Sequence, residues 1–226
     1  MNVLCIASHP DDEVIGVGGT LARHEDSGDH VSVCFLSDGV ASRYDDEPDE
    51  MAEEISLRRD CAESACEVLG IKDVTFYEFP DNRFDSVPLL DIVQAIEGEI
   101  SRIQPATIYT HHHGDLNVDH ELTARATITA TRPLADSTVE RVLSYETLSA
   151  TEWAISESSN AFQPTSFVDI GDTLEQKLEA LRAYESELRD HPHPRNVENV
   201  RRNAIVWGAK SGMSAAEPFE LLRELR

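Results

Sequence analysis

Apolar runs of strand length alternate with helix-period segments through the first two thirds of the chain. Two of those runs end in dense polar clusters. Residues 3–7, 31–36, 74–79 and 107–110 read as strands, and 17–27, 51–69 and 89–103 carry helical spacing between them. Gly28 and Gly70 stand where helix C-terminal caps belong. A further helix over 121–131 leads to a strand over 141–146. Strand and helix in this alternation pack as a parallel sheet with right-handed crossovers. The expectation is an α/β fold: a single Rossmann-like domain with a mostly parallel sheet of order 3-2-1-4-5 flanked by helices. The 226 residues suit one domain, with residues 1–150 as its core and 151–226 as a C-terminal extension completing the site. In that extension 167–170 reads as an edge strand, and 174–188 and 197–209 read as helices. Their joint, His191-Pro192-His193-Pro194-Arg195, is stiffened by two prolines.

The polar clusters carry the chemistry. Ser8-His9-Pro10-Asp11-Asp12-Glu13 follows the first strand at once, and His111-His112-His113-Gly114-Asp115-Leu116-Asn117-Val118-Asp119-His120 follows the fourth. Both lie at carboxyl ends, where open α/β sheets bind their ligands. In the expected order strands one and four are neighbours at the switch point, so the two loops should meet across one crevice. Adjacent carboxylates repel unless a cation holds them, and a divalent metal is the simplest such cation. One carboxylate and one histidine would bind it, leaving the other carboxylate free as a base. His and Asp from two loops, with room for water, match a catalytic zinc.

These motifs resemble the PIG-L or LmbE-like family of zinc-dependent N-deacetylases. The resemblance rests on Ala7-Ser8-His9-Pro10-Asp11-Asp12-Glu13, the Gly-rich stretch after it, and the Asn-x-Asp-His ending at His120. It extends through Gly70, Phe79-Pro80-Asp81 and the His-Pro-Arg loop. It implies one zinc per chain, held by His9, Asp12 and His120, a general base at Asp11, and Asp119 orienting a histidine. Arg58 and Asp81 match positions that touch the sugar, and Arg195 and Arg83 join them as candidate substrate contacts. Arg83, beyond the third strand, would grip an anionic part of the substrate. The implied reaction is removal of an N-acetyl group from an amino sugar, an N-acetylglucosamine derivative. Many members have histidine three places before the last zinc ligand, where this chain has Asn117. An amide can stabilise an oxyanion but cannot deliver a proton. Asp11, His113 and His193 are therefore the candidates for protonating the leaving amine.

Other polar residues read as structural. Of His111 and His112, one should enter the core and the other face solvent, and neither is expected as a ligand. His24 and His30 read as surface residues. Gly16, Gly18 and Asp38 imitate a dinucleotide fingerprint, which keeps a nicotinamide-dependent oxidoreductase as a rival. The glycines do not follow the strand directly, and Asp11 and Asp12 would repel a pyrophosphate, so close packing explains them better. A non-catalytic, zinc-holding sugar-binding protein is the other rival.

The formal charge is −24, from 43 acidic and 19 basic residues. That field repels nucleic acid and anionic membrane; the small-molecule amino sugar expected as partner is what the resemblance implies. It also fits a high-salt cytoplasm, where screening shortens self-repulsion. No apolar stretch is long enough for a membrane span. The first residues read as a strand rather than a signal peptide. Cys5, Cys34, Cys61 and Cys66 lack metal-ligand spacing and suit a reducing compartment such as the cytoplasm. A homo-oligomer is compatible with these features.

Overall fold

The computed structural model describes residues 1–45, 49–135, 137–155 and 160–226. The centre of the acidic run 45–50 lies outside the described residues. Among the described residues, one sheet of seven strands runs in the order β3-β2-β1-β4-β5-β7-β6. The strands are β1 (Asn2–Ala7), β2 (His30–Phe35), β3 (Asp73–Phe76), β4 (Thr107–His111), β5 (Arg141–Tyr145), β6 (Ser166–Asp169) and β7 (Ala216–Glu224). The expected order 3-2-1-4-5 is the parallel part of this sheet. β7 extends it by pairing antiparallel with both β5 and the edge strand β6.

Alternation along β1 divides the core into two layers. Val3, Cys5 and Ala7 face a layer built with α1 (Asp12–Asp26), α2 (Asp49–Val68), α5 (Leu174–Arg182) and α6 (Val197–Ser211). Leu4 and Ile6 face the other, built with α3 (Leu89–Ile103) and α4 (Val118–Ala130). A sheet covered on both faces needs strands apolar throughout, and β1, β2, β4 and β5 are buried along almost their whole length.

Three expectations need correction. α1 begins at Asp12 rather than at residue 17. Its first turn carries Asp12 and Glu13, which break the apolar period but suit the positive end of the helix dipole. α5 ends at Arg182 and gives way to a short 3-10 turn, Glu185–Glu187, instead of running to residue 188. β7 was not anticipated, because Glu217, Pro218 and Glu220 interrupt its apolar run. Among the described residues, no helix is long and apolar enough to cross a membrane, and all four cysteines are free.

Candidate active site

The β1–α1 and β4–α4 loops meet at the carboxyl edge of the sheet, since β1 and β4 pair directly. They form the floor of a cleft of about 350 Å³, lined among others by His9, Asp11, Asp12, Arg58, Asp81, Asn117, His120 and Arg195. On the floor, one ligand atom each from His9, Asp12 and His120 lies within 4.8 Å of the others. Asp12 Oδ2 is 3.4 Å from His9 Nδ1 and 3.3 Å from His120 Nε2. All three side chains are buried. Neither nitrogen of the His120 ring makes a well-directed hydrogen bond. A buried, unpaired imidazole nitrogen aimed at a carboxylate and a second histidine is costly by itself and suits a shared cation.

Carboxylates around the floor flank both histidines, Asp119 through a hydrogen bond to His9 and Asp115 through a charge contact with His120. Asp119 Oδ2 is 2.9 Å from His9 Nε2, and the same carboxylate accepts the backbone N–H groups of Asn82 and Phe84. Its acceptors thus hold the imidazole and the loop after β3 together, leaving Nδ1 of His9 facing Asp12. Asp115 Oδ1 stands 3.2 Å from His120 Nδ1, a second orienting carboxylate that the sequence pattern did not single out. Burial opposes charge on His9, yet Asp119 and Asp12 push its pKa up to about 9. Burial likewise opposes charge on His120, and Asp12 and Asp115 push it up to about 10. Burial would raise Asp12, but His120 and His111 hold it well below the carboxylate range. The floor is a place that demands positive charge.

Asp11 sits at a strained position, with φ 112° in the left-handed region. Three contacts hold it there. Its N–H donates to Glu13 Oε2, and its Oδ2 lies 3.2 Å from both Arg58 Nη2 and Arg195 Nη1. Arg58 is buried; it also donates to the carbonyl of Pro10 and lies 2.8 Å from Glu187. Arg195 and Arg58 therefore both line the cleft and brace Asp11. Asp81, buried at the cleft wall, lies 3.3 Å from His9 Nε2 and accepts the N–H of Ser42.

The remaining expected residues fall at different depths. Asn117 lines the cleft and caps α4, its Oδ1 accepting from Asp119 N and its Nδ2 donating to Asn82. His193 stands at the rim, its ring 5.6 Å from Trp153, and burial with the neighbouring Arg195 and Arg189 lowers its pKa. His113 packs on His112, away from the cleft lining. Arg83 lines an adjoining depression instead of the cleft.

His111 and His112 are both buried, against the expectation that one faces solvent. β7 supplies the reason: its Glu220 receives His112 Nδ1 at 2.8 Å. His111 Nε2 accepts the N–H of Ser8, which pins the β1–α1 loop, and burial with the charge of His120 lowers its pKa to about 4. His24 is also no free surface residue; it bridges Asp29 and Tyr109.

A family model described as "PIG-L: GlcNAc-PI de-N-acetylase" matches residues 4–131. The chain belongs to the PIG-L family. The diacetylchitobiose deacetylase of Thermococcus kodakarensis is 28% identical over 222 residues, covering 95% of this chain and 80% of that protein. A probable N-acetyl-alpha-D-glucosaminyl L-malate deacetylase 2 of Bacillus cereus is 28% identical, covering 91% of this chain and 93% of that one. Among solved structures, the 4-carboxy-2-hydroxymuconate hydratase of Pseudomonas putida KT2440 superposes with a TM-score of 0.78 at 19% identity, over 100% of this chain and 97% of that one. The PIG-L fold is thus shared by deacetylases and a hydratase, so the reaction has to be argued from the site.

One wall of this PIG-L cleft comes from a segment that sequence reasoning passed over. Thr147, Leu148, Ser149, Ala150 and Trp153, after β5, all line it. Thr151 Oγ1 accepts the N–H of Thr147 and donates to Asp115 Oδ2 at 2.6 Å. Ser149 has φ 71° and is held by its N–H to Glu152. The segment has no apolar period and no motif, so no sequence signal marked it.

Proposed function

We propose that the chain is a zinc-dependent hydrolase that removes an acetyl group from the nitrogen of an N-acetylglucosamine-containing small molecule. The observation that carries this reading is the floor itself: His9, Asp12 and His120 converge with an unpaired His120 nitrogen, beside a separate carboxylate, Asp11. Two imidazoles and one carboxylate fit one zinc with an open position. Zinc held by these residues supplies Lewis acidity, lowering the pKa of water toward ~7 and polarising a carbonyl.

The protein's own groups do the rest. Oδ2 of Asp11 is turned to two guanidinium groups, so Oδ1 is the oxygen left to take a proton from the attacking water. The carbonyl carbon gains the water oxygen, and the developing oxyanion can draw on the remaining N–H of Asn117 Nδ2. Collapse breaks the C–N bond, and the amine leaves with a proton. Of Asp11, His113 and His193, Asp11 is the one in the cleft lining, so we assign it the return of that proton. Acetate and free amino sugar are the products.

The dinucleotide rival loses its support in the packing of α1. A Cβ at Gly16, the first glycine of that pattern, would lie 2.2 Å from the Tyr145 ring, so close packing accounts for this glycine. Asp38 spends its carboxylate on the N–H groups of Val40 and Ala41. A screen of N-acetylated sugars for free amine, with added zinc and with chelator, tests the proposal. Amine should appear from N-acetylglucosamine compounds with zinc alone. Sugar binding with no acetate released from any of them would instead support a non-catalytic binding protein.

A further inference from the structure

We propose that Trp153 is the platform of an outer subsite, and that it takes a second pyranose ring attached to the N-acetylglucosamine unit. This rests on the amidohydrolase reading only for the position of the first ring. The chain has two tryptophans. Trp207 spends its indole N–H on Glu146 and lies under Lys210. Trp153 is 52% exposed, lines the cleft, and its indole N–H has no hydrogen-bond partner among the described residues. An exposed indole on the wall of a polar cleft offers an apolar surface and an unspent donor, the pair needed for a ring with C–H faces and hydroxyl edges.

Its placement is fixed relative to the reaction centre. Trp153 belongs to the short 3-10 turn Thr151–Trp153. Thr151 hydrogen-bonds Asp115, and Asp115 faces His120. The turn that carries the indole is therefore tied through Thr151 and Asp115 to a residue of the floor, and the indole and the floor line the same cleft. Leu116, 59% exposed, also lines the cleft and follows Asp115 directly. The cleft is thus charged at its floor and carries two exposed apolar side chains on its lining.

The test compares N-acetylglucosamine with N,N′-diacetylchitobiose. Trp153→Ala should raise KM for the disaccharide about tenfold or more, the usual cost of deleting a tryptophan contact. KM for the monosaccharide, kcat for both and zinc content should stay unchanged. Trp153→Phe should recover most of the disaccharide affinity. Independently of turnover, chitobiose, the fully deacetylated glucosamine disaccharide, should change the intrinsic tryptophan fluorescence saturably in the wild type and in Trp207→Phe, but not in Trp153→Phe. Equal losses on both substrates, or no saturable change in the wild type, would overturn the platform. A saturable change in a protein that releases no acetate would refute the reaction and leave the platform standing.

Discussion

Asp12 turns Oδ2 toward the imidazoles of His9, His111 and His120, whereas Asp11 turns Oδ2 toward Arg58 and Arg195. Adjacent residues thus serve different partners, because the left-handed backbone at Asp11 sends the two side chains apart. Asp11→Asn should keep zinc and lose about two to four orders of magnitude in kcat, the contribution of a general base. An amide of the same shape can still accept from the two arginines but takes no proton. Asp12→Asn should weaken metal binding first, with activity falling as a consequence. Excess zinc then separates them: Asp12→Asn partly recovers and Asp11→Asn does not. Recovery of Asp11→Asn by zinc alone would end this division of labour. The residues of the two loops were legible because their types crowd two strand ends. Asp115 was not, since a carboxylate that orients a histidine looks like any other loop acid until Thr151 is seen to hold it.

α1 shows how an element can be read correctly in kind and wrongly in extent. Gly16, Gly18 and Gly19 lie inside it, where each glycine costs about 0.5–1 kcal/mol relative to alanine. At Gly16 that cost is accepted because Tyr145 packs onto the backbone, its hydroxyl donating to the carbonyl of Ile6 and its ring meeting His111. Gly16→Ala should therefore destabilise, by about 1–3 kcal/mol for an overpacked core position, and thermal unfolding should show a Tm several degrees lower. An unchanged or raised Tm would mean that helix propensity outweighs the close approach. The start of α1 and much of β7 escaped the sequence pattern for a shared physical reason: their inward residues include carboxyl groups satisfied by distant partners. Glu13 accepts from Tyr184, and Glu217 accepts from the N–H groups of Gly19 and Thr20 and pairs with buried Lys177. Hydrophobic periodicity does not register a core position filled by a carboxyl group whose hydrogen bonds are satisfied.

At the scale of the molecule, the expected parallel order survives intact because β1, β2, β4 and β5 are apolar through both faces. The C-terminal third was harder to place, since it joins the sheet antiparallel and far from its sequence neighbours. That third nevertheless completes the cleft through Glu187 and Arg195. Three arginines, Arg43, Arg58 and Arg195, gather around Glu187 within a chain of net charge −24. The acidic excess lies largely elsewhere on the surface, so it informs on solubility and partners more than on the reaction. Metal dependence and hydrolysis are checked together by metal analysis alongside acetate release from N,N′-diacetylchitobiose. The purified protein should hold about one zinc per chain. Stripping the zinc should abolish acetate release, adding it back should restore it, and His9→Ala and His120→Ala should lose both metal and activity. Full-rate acetate release from metal-free protein, or full metal content in both histidine variants, would contradict the account.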